Sequence, residues 1–371
     1  MNWISLLKIQ IVILIYIFIS ITICELFLRF VYTPELVQMR IDANSYNSDK
    51  DTLKGNFIKS DLKFKPFSKA YLKHVEYKHE VLHDEFGYRN PCFDKEKHTD
   101  GFLIGDSFVY GTGLLDLDVI NCQMSQALQL YTIGIPGASP LEYIKLISRA
   151  KQISKVLKTS SKPNLGIAIY AGNDFEGLQL IGNDSFKSIK EEKREGYFYK
   201  LAEKMNIFYS KNDFLKNSYF LSLIKITALP YLVNYEGNYV RNGTGDTIYK
   251  QNNNYKKLTN DIRKGLNSLK IEATKNEFDL NYLLIIPAAV DISKARLERD
   301  KRISRFENYK IDINIKYNII FNICIQLSIK CIDIRNYLTN DDYYERDNHL
   351  KFNGIKKISS ILIREINDFQ K

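Results

Sequence analysis

Cysteine is sparse in this chain of 371 residues. Its five positions, Cys24, Cys92, Cys122, Cys324 and Cys331, contain no CxxC pair and no zinc-like spacing. Structural zinc and a dithiol redox motif are therefore excluded, and a disulfide framework is not indicated for a chain this long. Cys331 stands in the strand-like run KCIDI, where a plain buried thiol is expected. Histidine is as rare: His74, His79, His83, His98 and His349. The first three follow at spacings of five and four without a cysteine or acidic partner at a ligand spacing, so they read as solvated side chains in a polar segment and no metal is expected. Arginine is the scarce cation, 14 residues against 39 lysines, and no run of five or six like charges occurs. Arginine is the side chain that best reads phosphates and bases. The formal charge of +10 is thus a compositional bias, and nucleic acid is not an expected partner. Hydrophobic residues at 45% and charged residues at 26% exclude disorder throughout and a fibrous repeat.

What is present begins at the N-terminus. Residues 9–27, IQIVILIYIFISITICELF, hold only Gln10 and Glu25 as strongly polar members. The run approaches the ~20 residues a helix needs to cross a bilayer. It is apolar on all faces, and no small-residue cleavage site follows, so an uncleaved single-span anchor is expected over residues 1–30. Cys24 follows the bulky Ile23, which argues against a lipidation site. The later apolar stretch 217–233 is interrupted by Lys225 and Pro230 and does not read as a second span. Residues 31–83 are polar and mixed, and read as a tether leading into short irregular or strand segments.

From residue 101 the pattern changes. Five short apolar runs, at 101–105 (GFLIG), 130–135 (LYTIGI), 165–170 (LGIAIY), 282–286 (YLLII) and 330–334 (KCIDI), lack polar alternation, as strands covered on both faces do. Between and after them, 119–128, 141–157, 255–273, 307–327 and 354–369 carry helical spacing. Alternation of strands and helices predicts βαβ units and an α/β fold with a mainly parallel five-stranded sheet. Sites in such sheets lie at the carboxyl ends of the strands.

That rule selects four places. The first run is followed by Gly105-Asp106-Ser107, where a strand-to-helix turn exposes a serine hydroxyl. The second is followed by Pro136-Gly137, where a glycine lets a backbone N–H approach a ligand. After the third come Gly172, Asn173 and Asp174, and the asparagine amide can donate to a developing oxyanion. Beyond the last run stand Asp347, Asn348 and His349; a histidine with an aspartate two residues before it suits a general base with a fixed tautomer. Alone, each is more often a turn or a helix cap. Their shared place at strand ends argues for one site.

FLIGDSF, IGIPGASP, AGNDF and DNHLKFNG together resemble the four blocks of the SGNH hydrolase superfamily, the GDSL-type esterases and lipases. DEFGYRN at 84–90 resembles the phrase preceding the serine block in anchored bacterial members. The resemblance covers residues 84–371. It implies a flavodoxin-like three-layer α/β/α sandwich with Ser107 as nucleophile, His349 as base and Asp347 orienting it. The Ser107 N–H, the Gly137 N–H and the Asn173 side chain would form the oxyanion hole, and no cofactor would be needed. The implied activity is a membrane-anchored serine esterase acting on O-acyl groups of a carbohydrate or a small ester, with its catalytic domain periplasmic or extracellular. The alternative is an O-acyltransferase for a surface polysaccharide, supplied by a membrane-bound acyl-donor protein. A non-catalytic glycan-binding subunit is the rival from another class.

The chain departs from the pattern in three places. Thr132 stands where the second block usually has Asn, Arg346 where the commonest last block has Asp, and Lys351 where Asn or Thr is frequent. Residues from about 175 to 253 form an insertion. Its helical stretch 214–226 reads either as a lid over the site or as a helix packed on the sheet.

Overall fold

The computed structural model describes residues 3–34, 37–38, 53, 55–74, 76–182, 217–227, 255–303 and 312–370. The chain divides into two compact units, residues 1–48 with 190–237, and residues 49–189 with 238–371.

In the first unit, helix α1 (Trp3–Phe30) carries the apolar run. Its segment Lys8–Phe30 is long and apolar enough to cross a membrane. The expected helix in the insertion is described over Tyr219–Thr227, and it packs against α1. Glu25 caps it from the side, accepting from Ser218 Oγ at 2.9 Å and from the Tyr219 and Phe220 N–H groups at 3.1 and 2.9 Å. Those N–H groups have no partner within their own helix. Neither the lid nor the sheet-packing expectation anticipated this partner; the rest of the insertion lies outside the described residues.

The second unit opens with two antiparallel pairs, β1 (Phe57–Ile58) with β2 (Lys63–Phe64), and β3 (Lys69–His74) with β4 (Tyr77–Leu82). The short strand segments expected after the tether begin at Phe57, inside the bounds 31–83 given to it. In β3, Ala70 and Leu72 are buried between exposed neighbours, and Tyr77 and Val81 do the same in β4, the period of a half-buried hairpin. The solvated-histidine expectation fails here. His83 is buried, stacks on Phe64 at 4.1 Å and lies 3.1 Å from Tyr110 Oη. Burial pushes its imidazole down to about 4.

All five predicted strands are present: β5 (Thr99–Gly105), β6 (Leu130–Gly134), β7 (Thr159–Tyr170), β8 (Asp279–Ile286) and β9 (Lys330–Asp333). They form one parallel sheet in the order β6-β5-β7-β8-β9. Helices connect and flank them: α2 (Ser107–Tyr110) and α3 (Ile120–Met124) between β5 and β6, and α4 (Pro140–Ser154) between β6 and β7. Beyond β7 come α5 (Asp174–Gly182) and α6, the Tyr219–Thr227 helix of the first unit; α7 (Tyr255–Lys275) then leads into β8. After β8 come α8 (Ala289–Ile292), α9 (Lys294–Ile303) and α10 (Asn314–Gln326), and after β9 comes α11 (Phe352–Gln370). The helix expected over 119–128 is reduced to α3, and residues 307–311 of the one expected over 307–327 lie outside the described residues.

The second strand lies on one side of the first and the third on the other, so the chain reverses its direction of travel between them. Right-handed crossovers then place successive helices on opposite faces. On one face Leu103, Ala168, Tyr170, Leu284 and Ile286 share a core with Ile120 and Met124 of α3 and Ile355, Ile358 and Leu362 of α11. In α7, Ile262, Leu266, Leu269 and Ala273 are fully buried at helical spacing. α4 begins where the pattern requires: Pro140 is its first residue, and Glu142 accepts from the Ser139 N–H at 2.9 Å, one half of a capping box.

Two disulfides correct the cysteine reading. Cys92 pairs with Cys122 and Cys324 with Cys331, with Cα–Cα distances of 4.9 and 6.0 Å. Separations of 30 and 7 residues carry no local signature. Only the fold brings the loop after Arg89 to α3, and the interior of α10 to β9.

Candidate active site

The C-terminal ends of β6, β5 and β7 lie side by side, and each is followed within three residues by one singled out above. Ser107 follows β5 as the first residue of α2. Asp106, buried, accepts from the Phe108 N–H at 3.0 Å and turns the chain out of the sheet. The turn is tight because Gly105 and Gly134 have no side chains. A Cβ on Gly134 would stand 2.2 Å from the Tyr110 nitrogen, and one on Gly105 would stand 2.3 Å from Val109. Gly137 follows β6 with φ +78°, a left-handed conformation that favours glycine, and open space surrounds the position of a Cβ. Asn173 follows β7 and is exposed, its N–H donating to the Tyr170 carbonyl at 3.4 Å.

The last loop delivers the other two residues. His349 Nε2 lies 2.8 Å from Ser107 Oγ, and His349 Nδ1 lies 2.6 Å from Asp347 Oδ1. The ring rests 5.0 Å from that of Phe108, which stacks on Tyr170 at 4.4 Å. Tyr343 anchors the loop over β8 through its hydroxyl, which donates to the Pro287 carbonyl at 2.8 Å. Tyr344 ties it to the turn behind the serine, donating to the Gly113 carbonyl at 2.6 Å. Serine, imidazole and carboxylate thus form a continuous hydrogen-bonded relay, able to pass a proton from the hydroxyl to the imidazole while the carboxylate holds the ring.

The electrostatics divide the carboxylates. Burial alone would push Asp347 up, but the charge and hydrogen bond of His349 and the hydroxyl of Tyr77 outweigh it and hold the group well below the usual carboxylate range. Beneath the serine the reverse applies. Burial pushes Asp106 up to about 6. Asp174, which accepts from Tyr143 Oη at 2.9 Å and from the Tyr170 N–H at 3.0 Å, is raised well above its ordinary value by burial and then by Asp106. A carboxyl raised on folding stabilises below its unfolded value near 4, and that contribution is lost as pH rises through the folded value. Thermal stability is expected to fall as pH rises through about 6. Asp106→Asn keeps an acceptor for the Phe108 N–H and is expected to flatten that fall, measured as melting temperature between pH 5 and pH 8.

The 84–90 phrase proves to be scaffolding. The Asp84 carboxylate collects the Phe86 and Tyr88 N–H groups, the Asn90 amide and the Tyr131 hydroxyl, at 2.6 to 3.1 Å. Arg89, fully buried, donates to Asp116 at 2.9 Å and to the Gly111 and Leu114 carbonyls at 2.6 Å each, bracing the turn behind the serine. Asn90 brackets Thr132, accepting from its N–H and hydroxyl at 2.9 and 2.7 Å, so Thr132 serves the scaffold.

Two residues at the site were missed in the sequence: Glu76 and Tyr77, at the turn of the β3–β4 hairpin. Tyr77 Oη donates to Asp347 Oδ2 at 2.6 Å. Glu76 accepts from the Glu345, Arg346 and Asp347 N–H groups at 2.8, 2.9 and 3.1 Å. The alternation in KAYLKHVEYKHEVL was the available signal for the hairpin; nothing in it points to a partner 270 positions away. Comparison with known family models, curated proteins and solved structures returns no match.

Proposed function

We propose that the chain is a membrane-anchored serine esterase of SGNH type acting on O-acyl groups of a carbohydrate or related surface polymer. The observation that carries this reading is the Ser107–His349–Asp347 relay, with links of 2.8 and 2.6 Å, at the carboxyl edge of the sheet. The strand order 2-1-3-4-5 and the helices on both faces support the flavodoxin-like sandwich that the four blocks imply. His349 takes the Ser107 proton as Ser107 attacks the ester carbonyl. The resulting oxyanion is held by the Ser107 and Gly137 N–H groups and the Asn173 amide, then collapses to an acyl-enzyme as His349 returns the proton to the leaving alcohol. Water, activated by the same histidine, releases the acid.

An apolar N-terminal helix together with two disulfides supports a catalytic unit on the oxidising side of a membrane, periplasmic or extracellular. Asn173→Ala is expected to lower kcat by about 100-fold with KM little changed, because one oxyanion donor contributes mainly in the transition state. Hydrolysis of a p-nitrophenyl acyl ester measures it. The substrate class is tested by mass spectrometry of surface glycans in cells carrying wild-type protein or Ser107→Ala. An esterase predicts O-acyl groups gained in the variant, and groups lost would identify a transferase using the same triad. A glycan profile and cellular phenotype indifferent to Ser107 would favour a non-catalytic binding subunit.

A further inference from the structure

The last loop places Asp347 only two residues before His349. At this spacing the carboxylate must fold back on its own loop. Asp347 Oδ1 faces both the His349 backbone N–H at 3.3 Å and the imidazole Nδ1 at 2.6 Å. That bend has a consequence for the residues before it. The N–H groups of Glu345, Arg346 and Asp347 converge on one point instead of entering a helix or a ladder, which makes a small anion-binding nest. The nest is filled from outside the loop by the Glu76 carboxylate, through the three bonds given above. The neighbouring Tyr77 hydroxyl takes Asp347 Oδ2, the oxygen that faces away from the imidazole.

We infer that Glu76 and Tyr77 are positioning residues of the catalytic relay, so that a hairpin outside the four sequence blocks completes the site. The inference rests on the serine-hydrolase reading and adds a dependence that the triad alone does not have. A buried carboxylate oxygen without a donor costs more than the bond itself contributes, so the Tyr77 hydroxyl stabilises Asp347 in the orientation that meets the imidazole. Three N–H groups deprived of their acceptor let the 345–347 backbone relax, and a shift of about 1 Å at a reacting group costs on the order of 100-fold in rate. The hairpin has few other reasons to place a carboxylate here. His74 Nδ1 lies 3.8 Å from Glu76 Oε2 and accepts from the Glu76 N–H at 3.4 Å. Tyr77 packs on Tyr344 with ring centroids 5.1 Å apart and planes tilted by 51°, and a Cβ on Gly113 would meet both rings, so the hairpin, the last loop and the turn behind Ser107 are in direct contact.

The experiment is the rate of Ser107 labelling by a fluorophosphonate on the full-length protein, as a function of pH, for wild type, Tyr77→Phe, Glu76→Gln and Glu76→Ala. The charged and titratable groups around the relay include Asp347 and Asp106 near His349, Tyr344 on the last loop, and Glu76, Tyr77 and His74 from the hairpin. Removing the Tyr77 donor leaves more negative charge on Asp347 to hold the imidazolium proton. Tyr77→Phe is therefore expected to label about 10-fold more slowly at neutral pH, with the acid limb of its profile moved to higher pH. Glu76→Ala is expected to lose about 100-fold, and Glu76→Gln, whose amide oxygen still accepts, to recover part of that. A purely structural role would lower the melting temperature without moving the acid limb. Wild-type rates and an unmoved acid limb in both Tyr77→Phe and Glu76→Ala, with wild-type protein labelled at Ser107, would overturn the inference alone. Absence of labelling in folded wild-type protein would overturn the hydrolase reading and the inference with it.

Discussion

His349→Ala is expected to slow ester turnover by about 10,000-fold or more, with the melting temperature nearly unchanged. The size of the effect follows from the contacts. Nε2 lies 2.8 Å from Ser107 Oγ, and in the proposed reaction the serine hydroxyl would without it have to lose its proton to water. The ring is partly exposed and rests on Phe108 rather than filling the core, so its loss leaves packing largely intact. The proposed oxyanion donors are untouched by this substitution, and a residual rate above background is expected from them. Steady-state hydrolysis of an activated ester measures the ratio. A loss below 10-fold would mean that the hydrogen bond between His349 and Ser107 carries no proton in the reaction.

Asp347→Asn is expected to cost about as much, on the order of 10,000-fold, although the side chain keeps its size. The carboxylate accepts on both oxygens, Oδ1 from the His349 backbone and ring nitrogens and Oδ2 from Tyr77. An asparagine can offer one acceptor only. If its oxygen takes the Tyr77 hydroxyl, its amino group faces Nδ1 and donates to it. The proton then sits on Nε2, where it blocks acceptance from Ser107. If the amide turns round, its amino group faces the Tyr77 hydroxyl and the imidazole loses part of its orientation. Either way the working tautomer is disfavoured. The loss appears in kcat, and it deepens little at acid pH because the wrong tautomer is set by hydrogen bonding rather than by ionisation. An Asp347→Asn protein with kcat within 10-fold of wild type would assign the orienting role elsewhere.

The sheet was legible because its strands are short, apolar and covered on both faces, so composition alone marks them. The strand-end rule then brought out Ser107, Gly137 and Asn173 from three separate runs, and the structure sets these strand ends beside one another. His349 and Asp347 were legible from their adjacency, which survives any fold. Glu76 and Tyr77 were not, since their partners lie across the whole domain and a surface hairpin of lysine, tyrosine and histidine reads like a tether. His83 misled for the same reason: exposure was inferred from polar neighbours, while the burial comes from Phe64 and Tyr110 across the fold. The disulfides were hidden because pairing is fixed by Cα separation in space, which spacing in sequence does not report. The contact between Glu25 and the Tyr219–Thr227 helix joins an apolar N-terminal run to a distant insertion, and no local pattern announces it.

Whether Ser107 is a nucleophile activated by His349 is decided by exposing the folded protein to a fluorophosphonate and mapping the adduct by peptide mass spectrometry. One adduct is expected, on the peptide containing Ser107, absent in Ser107→Ala and formed far more slowly in His349→Ala. A folded, Ser107-intact protein that stays unlabelled, or one labelled on another residue, would contradict that role.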